Sequence, residues 1–228
     1  MRRDLAVVAV LLALAVSGCL SPGERDYGDD VWNTSADVTY YLEGDSYVGV
    51  VALDEGDENR SLRLWQRDPV GGDTSVSVTS PRVRRDGEVA NLSTETHDDY
   101  TSIDVGGEPG LVAYTGLKRA GEFSVPVPVN GSVEVHLPPD KDARNLFLGR
   151  ISPGEHEVVS TEPLVVRWDE VERGSHVSVD YYTRGTPWLL LGGLVLLGLV
   201  AVAVVYRYRR EIDRLRSRRA VDLEDELE

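Results

Sequence analysis

The chain has 228 residues, a formal net charge of −15 at pH 7 and a sequence pI near 4.7. Such an acidic protein lacks the basic face that phosphate neutralisation requires, so we expect no nucleic-acid partner. Its single cysteine excludes a disulfide within the chain and a metal–thiolate cluster.

The N-terminus has the layout of a secretory signal peptide. A basic pair precedes an apolar run at residues 5–16, which is too short to span a bilayer well. We therefore predict a signal peptide at residues 1–18, with either a twin-arginine signal or a generic basic start.

The end of this signal contains the only cysteine. Residues 16–19, Val-Ser-Gly-Cys, resemble a lipobox, in which the cysteine becomes the new N-terminus and carries lipid. Lipidation of Cys19 would explain why the chain has no other cysteine. The alternative is an ordinary signal peptide with a cysteine near its cleavage site. The next residues are polar and turn-rich, and we predict that residues 19–35 form a flexible tether to the lipid.

The central region predicts a mainly-β domain. Short runs with period-two alternation, broken by Gly, Pro, Asp and Asn, indicate antiparallel strands, and no long 3.6-residue apolar stripe supports a βαβ fold. We predict an exported antiparallel β-sandwich at residues 36–184, either one or two small ones meeting near residues 118–121. Two tight turns are expected, at Asn130-Gly131 and at Asp86-Gly87.

Within this region, residues 124–129 form an unusual strand pattern. Pro126 and Pro128 cannot donate hydrogen bonds from their nitrogens, so we expect an edge strand or one with an unpaired outer side.

The second apolar segment has the length of a membrane span. Residues 188–206 contain no charged residue, and nineteen residues at the helical rise cover roughly 28 Å. We predict one transmembrane helix at residues 187–207. No two small residues in it are four apart, so a plain anchor is favoured over a helix-pairing face.

The flanks of this span predict its orientation. Seven arginines lie in residues 207–219, against Arg184 alone on the other flank. The positive-inside rule places the tail, residues 208–228, in the cytoplasm and the domain outside the cell membrane. The basic part of the tail could lie on anionic lipid or be solvated.

Composition also indicates habitat. Only Lys118 and Lys141 are lysines among 24 basic residues. Heavy acid loading with few lysines suits molar salt, where the Debye length is about 3 Å and self-repulsion costs little. We expect a halophilic archaeon as the source.

Four of the five asparagines begin a glycosylation sequon, which predicts a glycosylated surface domain. These predicted sites are Asn33, Asn59, Asn91 and Asn130.

No catalytic constellation is evident, and we predict no catalytic, cofactor or metal site. The four histidines have no metal-ligand spacing. Glu95, His97, Asp98 and Asp99 form the densest cluster, which either holds a divalent cation or is a solvated acidic loop. Residues 54–59 have the wrong order for an EF-hand and predict a charged turn.

One strand has a distinctive face. Alternation places Arg63, Trp65 and Arg67 opposite Leu62 and Leu64. One interpretation is that this face binds a partner or a sugar. The other is that these residues pack within the domain, through cation–π contacts or with the Trp facing a second sheet.

Several strings together carry a family resemblance. Ala-Val-Ser-Gly-Cys at residues 15–19, Val-Val-Arg-Trp-Asp at 165–169, Val-Ser-Val-Asp-Tyr-Tyr at 177–182 and Pro187-Trp188 resemble a haloarchaeal family of uncharacterised membrane-anchored lipoproteins. The resemblance implies habitat and topology, and it transfers no functional residue.

Three functional hypotheses follow. The first is a non-enzymatic cell-surface module without cofactors, attached to the membrane by lipid and helix, that binds another envelope or membrane protein. The second is an extracytoplasmic hydrolase with a carboxylate or metal site that uses Glu95, His97 and Asp98. The third is an accessory subunit of a membrane complex.

Overall fold

A computed structural model describes residues 25–54, 61–67, 71–145 and 147–225. The predicted signal peptide, Cys19, and all of the predicted charged turn at residues 54–59 except Asp54, including Asn59, lie outside these residues.

The secondary structure of the described residues is mainly β, which confirms the predicted fold class. The elements in chain order are β1 (Val38–Leu42), β2 (Ser46–Leu53), β3 (Ser61–Arg67), β4 (Asp73–Ser75), β5 (Val78–Arg85), β6 (Glu88–Asn91), β7 (Ser93–Thr96), β8 (Thr101–Asp104), β9 (Gly110–Leu117), β10 (Glu122–Pro126), β11 (Gly131–His136), β12 (Lys141–Asp142), β13 (Arg150–Ser152), β14 (Glu157–Thr161), β15 (Leu164–Val171), β16 (His176–Asp180), β17 (Tyr182–Thr183) and α1 (Thr186–Asp225).

Three sheets contain all the strands except β12 and β17, which pair with each other. The largest has eight strands in the order β14-β15-β11-β1-β2-β9-β5-β6, and the others are β4-β3-β8-β7 and β10-β16-β13. Within these three sheets pairing is antiparallel except between β1 and β11, which run parallel with Tyr40 opposite Val135. A parallel pair needs a long crossover, and the chain between these two strands builds much of the other two sheets.

One hydrophobic core lies between the large sheet and the two smaller ones, as in a sandwich. Alternate residues of β1 and β11 point into it, including Val38, Tyr40 and Val133. Phe123 of β10 reaches across, with its ring centroid 5.1 Å from Tyr40 and 5.3 Å from Tyr47. Aromatic contacts therefore join the large sheet to the three-stranded one.

The two predicted turns have different outcomes. Asp86 and Gly87 form the two-residue turn between β5 and β6, both with positive φ, as a type I′ turn requires. The hairpin predicted at Asn130-Gly131 is wrong, because β10 pairs with β16 and β11 pairs with β1 and β15. The chain crosses from one sheet to another there.

β10 is an edge strand, as its prolines predict.

Residues 25–36 pack on the outer face of the large sheet, and we call this segment the strap. Tyr27 and Trp32 are buried, meet edge to face at 5.9 Å, and cover Val48 and Val50 of β2 with Ala113 of β9. The part of the predicted tether that the structure describes is thus folded onto the domain. Its two aromatic rings bury apolar surface that would otherwise face water.

Polar contacts hold both ends of the strap. The Tyr27 hydroxyl donates to the Ser80 carbonyl at 2.9 Å, and the Ser35 hydroxyl donates to Glu134 at 3.0 Å. The Arg25 guanidinium donates to the Glu43 carboxylate and holds the pKa of that group below its ordinary value. This partly exposed pair adds little stability, and its contribution is lost as the pH falls through the lowered pKa.

The chain divides after Tyr181 into two compact units, and α1 belongs to the second. Thr186–Arg210 of α1 is long and apolar enough to cross a membrane, with a mean hydropathy of 2.7 in its most apolar window. The backbone remains helical beyond this span, through the arginine-rich residues to Asp225.

Candidate functional site

The outermost strand of the large sheet at one end is β14. No strand lies on its outer side among the described residues. Val159 is 55% exposed, and the strand contains no proline. A register shift between Val158 and Ser160 interrupts the ladder at Val159, and the outer side of the strand remains open to the addition of another strand.

Beside this edge lies an open groove of about 800 Å³, which we call the edge groove. It exists because β14 is shorter than β15: pairing begins at Glu157 opposite Arg167, and β15 continues from Trp168 to Val171 without β14 beside it. The loop through Pro153 and His156 forms one wall.

A buried indole supports that wall. Trp168 is almost fully buried, and its Nε1 donates to the Pro153 carbonyl at 3.0 Å. The His156 ring lies 6.0 Å from the indole, and its Nδ1 is 3.3 Å from the same carbonyl. The groove is therefore shaped by packed side chains.

The edge groove is strongly acidic. Its lining contains one arginine, Arg167, against five carboxylates. These are Glu155, Glu157, Asp169, Glu170 and Glu172. Arg167 is engaged by its neighbours, at 3.2 Å from Glu134 and 3.3 Å from Asp169. The groove thus offers uncompensated negative charge to a cationic partner.

Behind the groove, Glu134 organises a polar network under the strap. Glu134 is 5% exposed, and its carboxylate accepts hydrogen bonds from Ser35 and Arg167, while His136 Nε2 lies at 3.2 Å. The His136 ring stacks on Tyr41 at 4.7 Å. This network joins the strap, β11 and β15, and thereby fixes the position of Arg167.

We expect Glu134→Gln to lower the free energy of unfolding by about 1 to 2 kcal/mol, because the amide retains an acceptor but loses the charge facing Arg167. Urea unfolding of the detergent-solubilised protein would measure the change. Glu122→Gln is the control, because Glu122 is exposed on β10, and should change stability by less than about 0.5 kcal/mol. Equal losses in both variants would contradict the role of the network.

The structure does not assemble a metal site from the sequence candidates. Glu95 and His97 are 3.9 Å apart, and His97 stacks on Tyr100 at 4.5 Å. Asp98 and Asp99 are exposed. Among the described residues, no group of three His, Cys, Asp or Glu side chains is placed to hold a metal ion. The edge groove does not include any of these residues.

Leu62, Arg63 and Leu64 follow the predicted alternation on β3, and the side chain of Arg67 lies outside the part of the chain that the structure describes. Leu62 and Leu64 are buried, while Arg63 is exposed with its guanidinium 5.0 Å from the centre of the Tyr100 ring. Trp65 is partly buried. For Arg63, cation–π packing within the domain is the arrangement that the structure shows.

Three predicted glycosylation sites lie on described residues and are exposed. Asn33 is in the strap, Asn91 ends the edge strand β6, and Asn130 lies where the chain crosses from β10 to β11. The Asn130 Oδ1 accepts a hydrogen bond from Arg173 N at 2.7 Å, which leaves its nitrogen as the attachment atom. Glycosylation at these positions remains a prediction.

A second cavity of about 630 Å³ opens beside the turn between β9 and β10. Buried Tyr47 and Phe123 line it together with Lys118 and Arg119. The Lys118 ammonium is already engaged by the Gly44 carbonyl and the Tyr181 hydroxyl. The edge groove is the stronger candidate, because it combines the open side of β14 with five carboxylates.

Fold and site together define a mainly-β protein with an open sheet edge and one C-terminal helix able to span a membrane. Residues 34–226 match a family of unknown function, DUF5803, and the chain belongs to that family. No curated protein and no solved structure matches the chain. The family description assigns no activity, so the function is argued from the site.

Proposed function

We propose that this chain is a membrane-anchored lipoprotein at the cell surface of a halophilic archaeon, where its β domain acts as a binding module. The apolar span in α1 supports membrane attachment. The lipobox-like residues before Cys19 support a second anchor, and the low lysine content supports the habitat. The arginines after the span support a cytoplasmic C-terminus with the domain outside.

The partner that fits the edge groove is an extended basic segment of a neighbouring envelope or membrane protein. It adds as a strand on β14, so that its main chain supplies hydrogen bonds and its apolar side chains cover Val158 and Val159. Its basic side chains meet the carboxylates of Glu157 and Glu170. The unpaired β14 edge beside an acidic groove is the observation that carries this proposal.

The opposite end of the large sheet is less suited to this role. Its edge strand, β6, contains Asn91 within a sequon, and a glycan there would cover the edge. Val89 on β6 is 47% exposed, close to the 55% of Val159 on β14. The two valines therefore form a matched pair for a test.

We expect a photo-reactive residue at Val159 to cross-link to a specific protein in intact cells, and the same residue at Val89 to give no such adduct. Mass spectrometry of the adducts would identify the partner. Glu157→Lys combined with Glu170→Lys should reduce the adduct, and more strongly at lower salt, since like charges would then face a basic segment. Equal labelling from both valines, or no adduct from Val159, would contradict the proposal.

A further inference from the structure

One aromatic side chain of the β domain faces almost entirely into solvent. The chain has two phenylalanines. Phe123 is fully buried, whereas Phe147, in the loop between β12 and β13, is 94% exposed. A ring of this size exposed to water loses the stabilisation that burial gives and is free to make a contact outside the domain.

The loop holds this ring outward by its backbone. Asn145 Oδ1 accepts a hydrogen bond from Phe147 N at 2.9 Å, and the Asn145 carbonyl accepts from Gly149 N at 2.8 Å. Gly149 packs so closely on the Ala143 backbone that a Cβ there would collide with it. The exposed position of Phe147 is thus built into the turn, which lowers the entropy cost of a contact.

The surroundings of Phe147 differ in charge from the rest of the protein. Within residues 140–150, Lys141, Arg144 and Arg150 stand against two acids, Asp140 and Asp142, whereas the whole chain has 24 basic and 39 acidic residues. Lys141 pairs with Asp140 at 2.8 Å and Arg144 with Asp142 at 2.6 Å, while Arg150 is exposed. An apolar ring with basic neighbours is the pattern of a segment that binds an anionic lipid surface.

The connectivity of the chain also favours a lipid surface as the partner of this loop. Arg150 begins β13 and lies opposite Asp180, the last residue of β16. In sequence, only residues 181–185 separate Asp180 from the start of α1 at Thr186. Even fully extended, these residues reach only about 20 Å. A bilayer crossed by α1 therefore begins within that length of chain from the strand beside the loop.

We propose that the loop docks on the membrane, with Phe147 inserted at the boundary between headgroups and acyl chains and Arg150 beside anionic headgroups. This inference rests on the proposed span in α1. The contact would add a third attachment point and set which face of the β domain points away from the membrane.

The test uses the full-length protein with Cys19→Ser, reconstituted in vesicles of neutral and anionic lipids that contain nitroxide-labelled lipid. A single cysteine replaces Phe147, or Val89 as the exposed apolar control, and carries an environment-sensitive fluorophore. We expect the label at 147 to shift to shorter wavelength and to be quenched by the lipid nitroxide, whereas the label at 89 shows neither change. Substitution at such an exposed residue leaves the fold intact.

The fluorescence of Trp188 tests the membrane span in α1 separately from the docking of the loop. If the lipid nitroxide quenches part of the tryptophan fluorescence, and this quenching is absent in Trp188→Phe, then Trp188 contacts lipid and α1 is inserted. If Trp188 is quenched and the label at 147 behaves like the label at 89, loop docking is overturned while the span stands. If Trp188 is not quenched, both fail. A blue shift at 147 without nitroxide quenching means contact with protein, which also overturns docking on lipid.

Discussion

Gly116→Ala should lower the free energy of unfolding by about 3 kcal/mol, at the upper end of the usual cost of overpacking. In the register of β2 and β9, Tyr47 lies opposite Gly116 and Gly49 lies opposite Tyr114. Each ring lies across the opposite glycine, so that a Cβ on Gly49 would be 2.6 Å from Tyr114 Cζ, and one on Gly116 would collide with Tyr47. Both rings are buried, so moving either one aside would disturb the packing around it.

Urea unfolding would measure this loss, with Gly44→Ala as the matched control. A Cβ on Gly44 would meet no atom within 4 Å, so that variant should retain its stability. Tyr47→Leu in the Gly116→Ala background should recover part of the loss, because the smaller side chain leaves room for the methyl group. A double-mutant cycle without coupling would contradict the ring-over-glycine explanation.

Removal of both proposed anchors should release the protein from the membrane, whereas removal of either one should not. A chain ended at residue 185 would keep only the lipid at Cys19, and Cys19→Ser would keep only the span at Thr186–Arg210. An inserted helix is held far more firmly than a lipid chain, so the variant with α1 should resist extraction best. Membrane fractionation of the four combinations would measure the effect.

Metabolic lipid labelling supplies an independent control for this experiment. The shortened chain should take up lipid label, and its Cys19→Ser form should take up none. A shortened chain that is unlabelled and soluble would contradict the lipid anchor. A Cys19→Ser full-length chain that is soluble would contradict the span.

Local features could be predicted from the sequence because short-range chemistry determines them. The alternation of β3 placed Leu62 and Leu64 inward, and Asp86-Gly87 has the dihedral freedom that its turn requires. The uncharged run before the arginines predicted the span for the same reason.

Pairing between distant strands could not be predicted in this way. Asn130-Gly131 has the composition of a hairpin turn, yet its flanking strands find partners in different sheets because their valines fill one core from opposite sides. The sequence likewise predicts a strand at 157–160 but contains no signal that this strand is the last of its sheet. The packing of the strap on the sheet was not predicted either. The sequence feature that could have indicated it is the presence of two aromatic residues, Tyr27 and Trp32, in a polar stretch.

The strap also has a consequence for the order in which the domain folds. Its hydrogen bonds join residues 88 and 99 positions apart, from Tyr27 to Thr115 and from Ser35 to Glu134. Contacts between such distant parts of a chain slow folding, because the intervening segment must be ordered first. The strap is synthesised before the strands on which it packs, so its contacts form late in folding. The hydrogen bond from Ser35 to Glu134, in particular, cannot form before β11 has been synthesised.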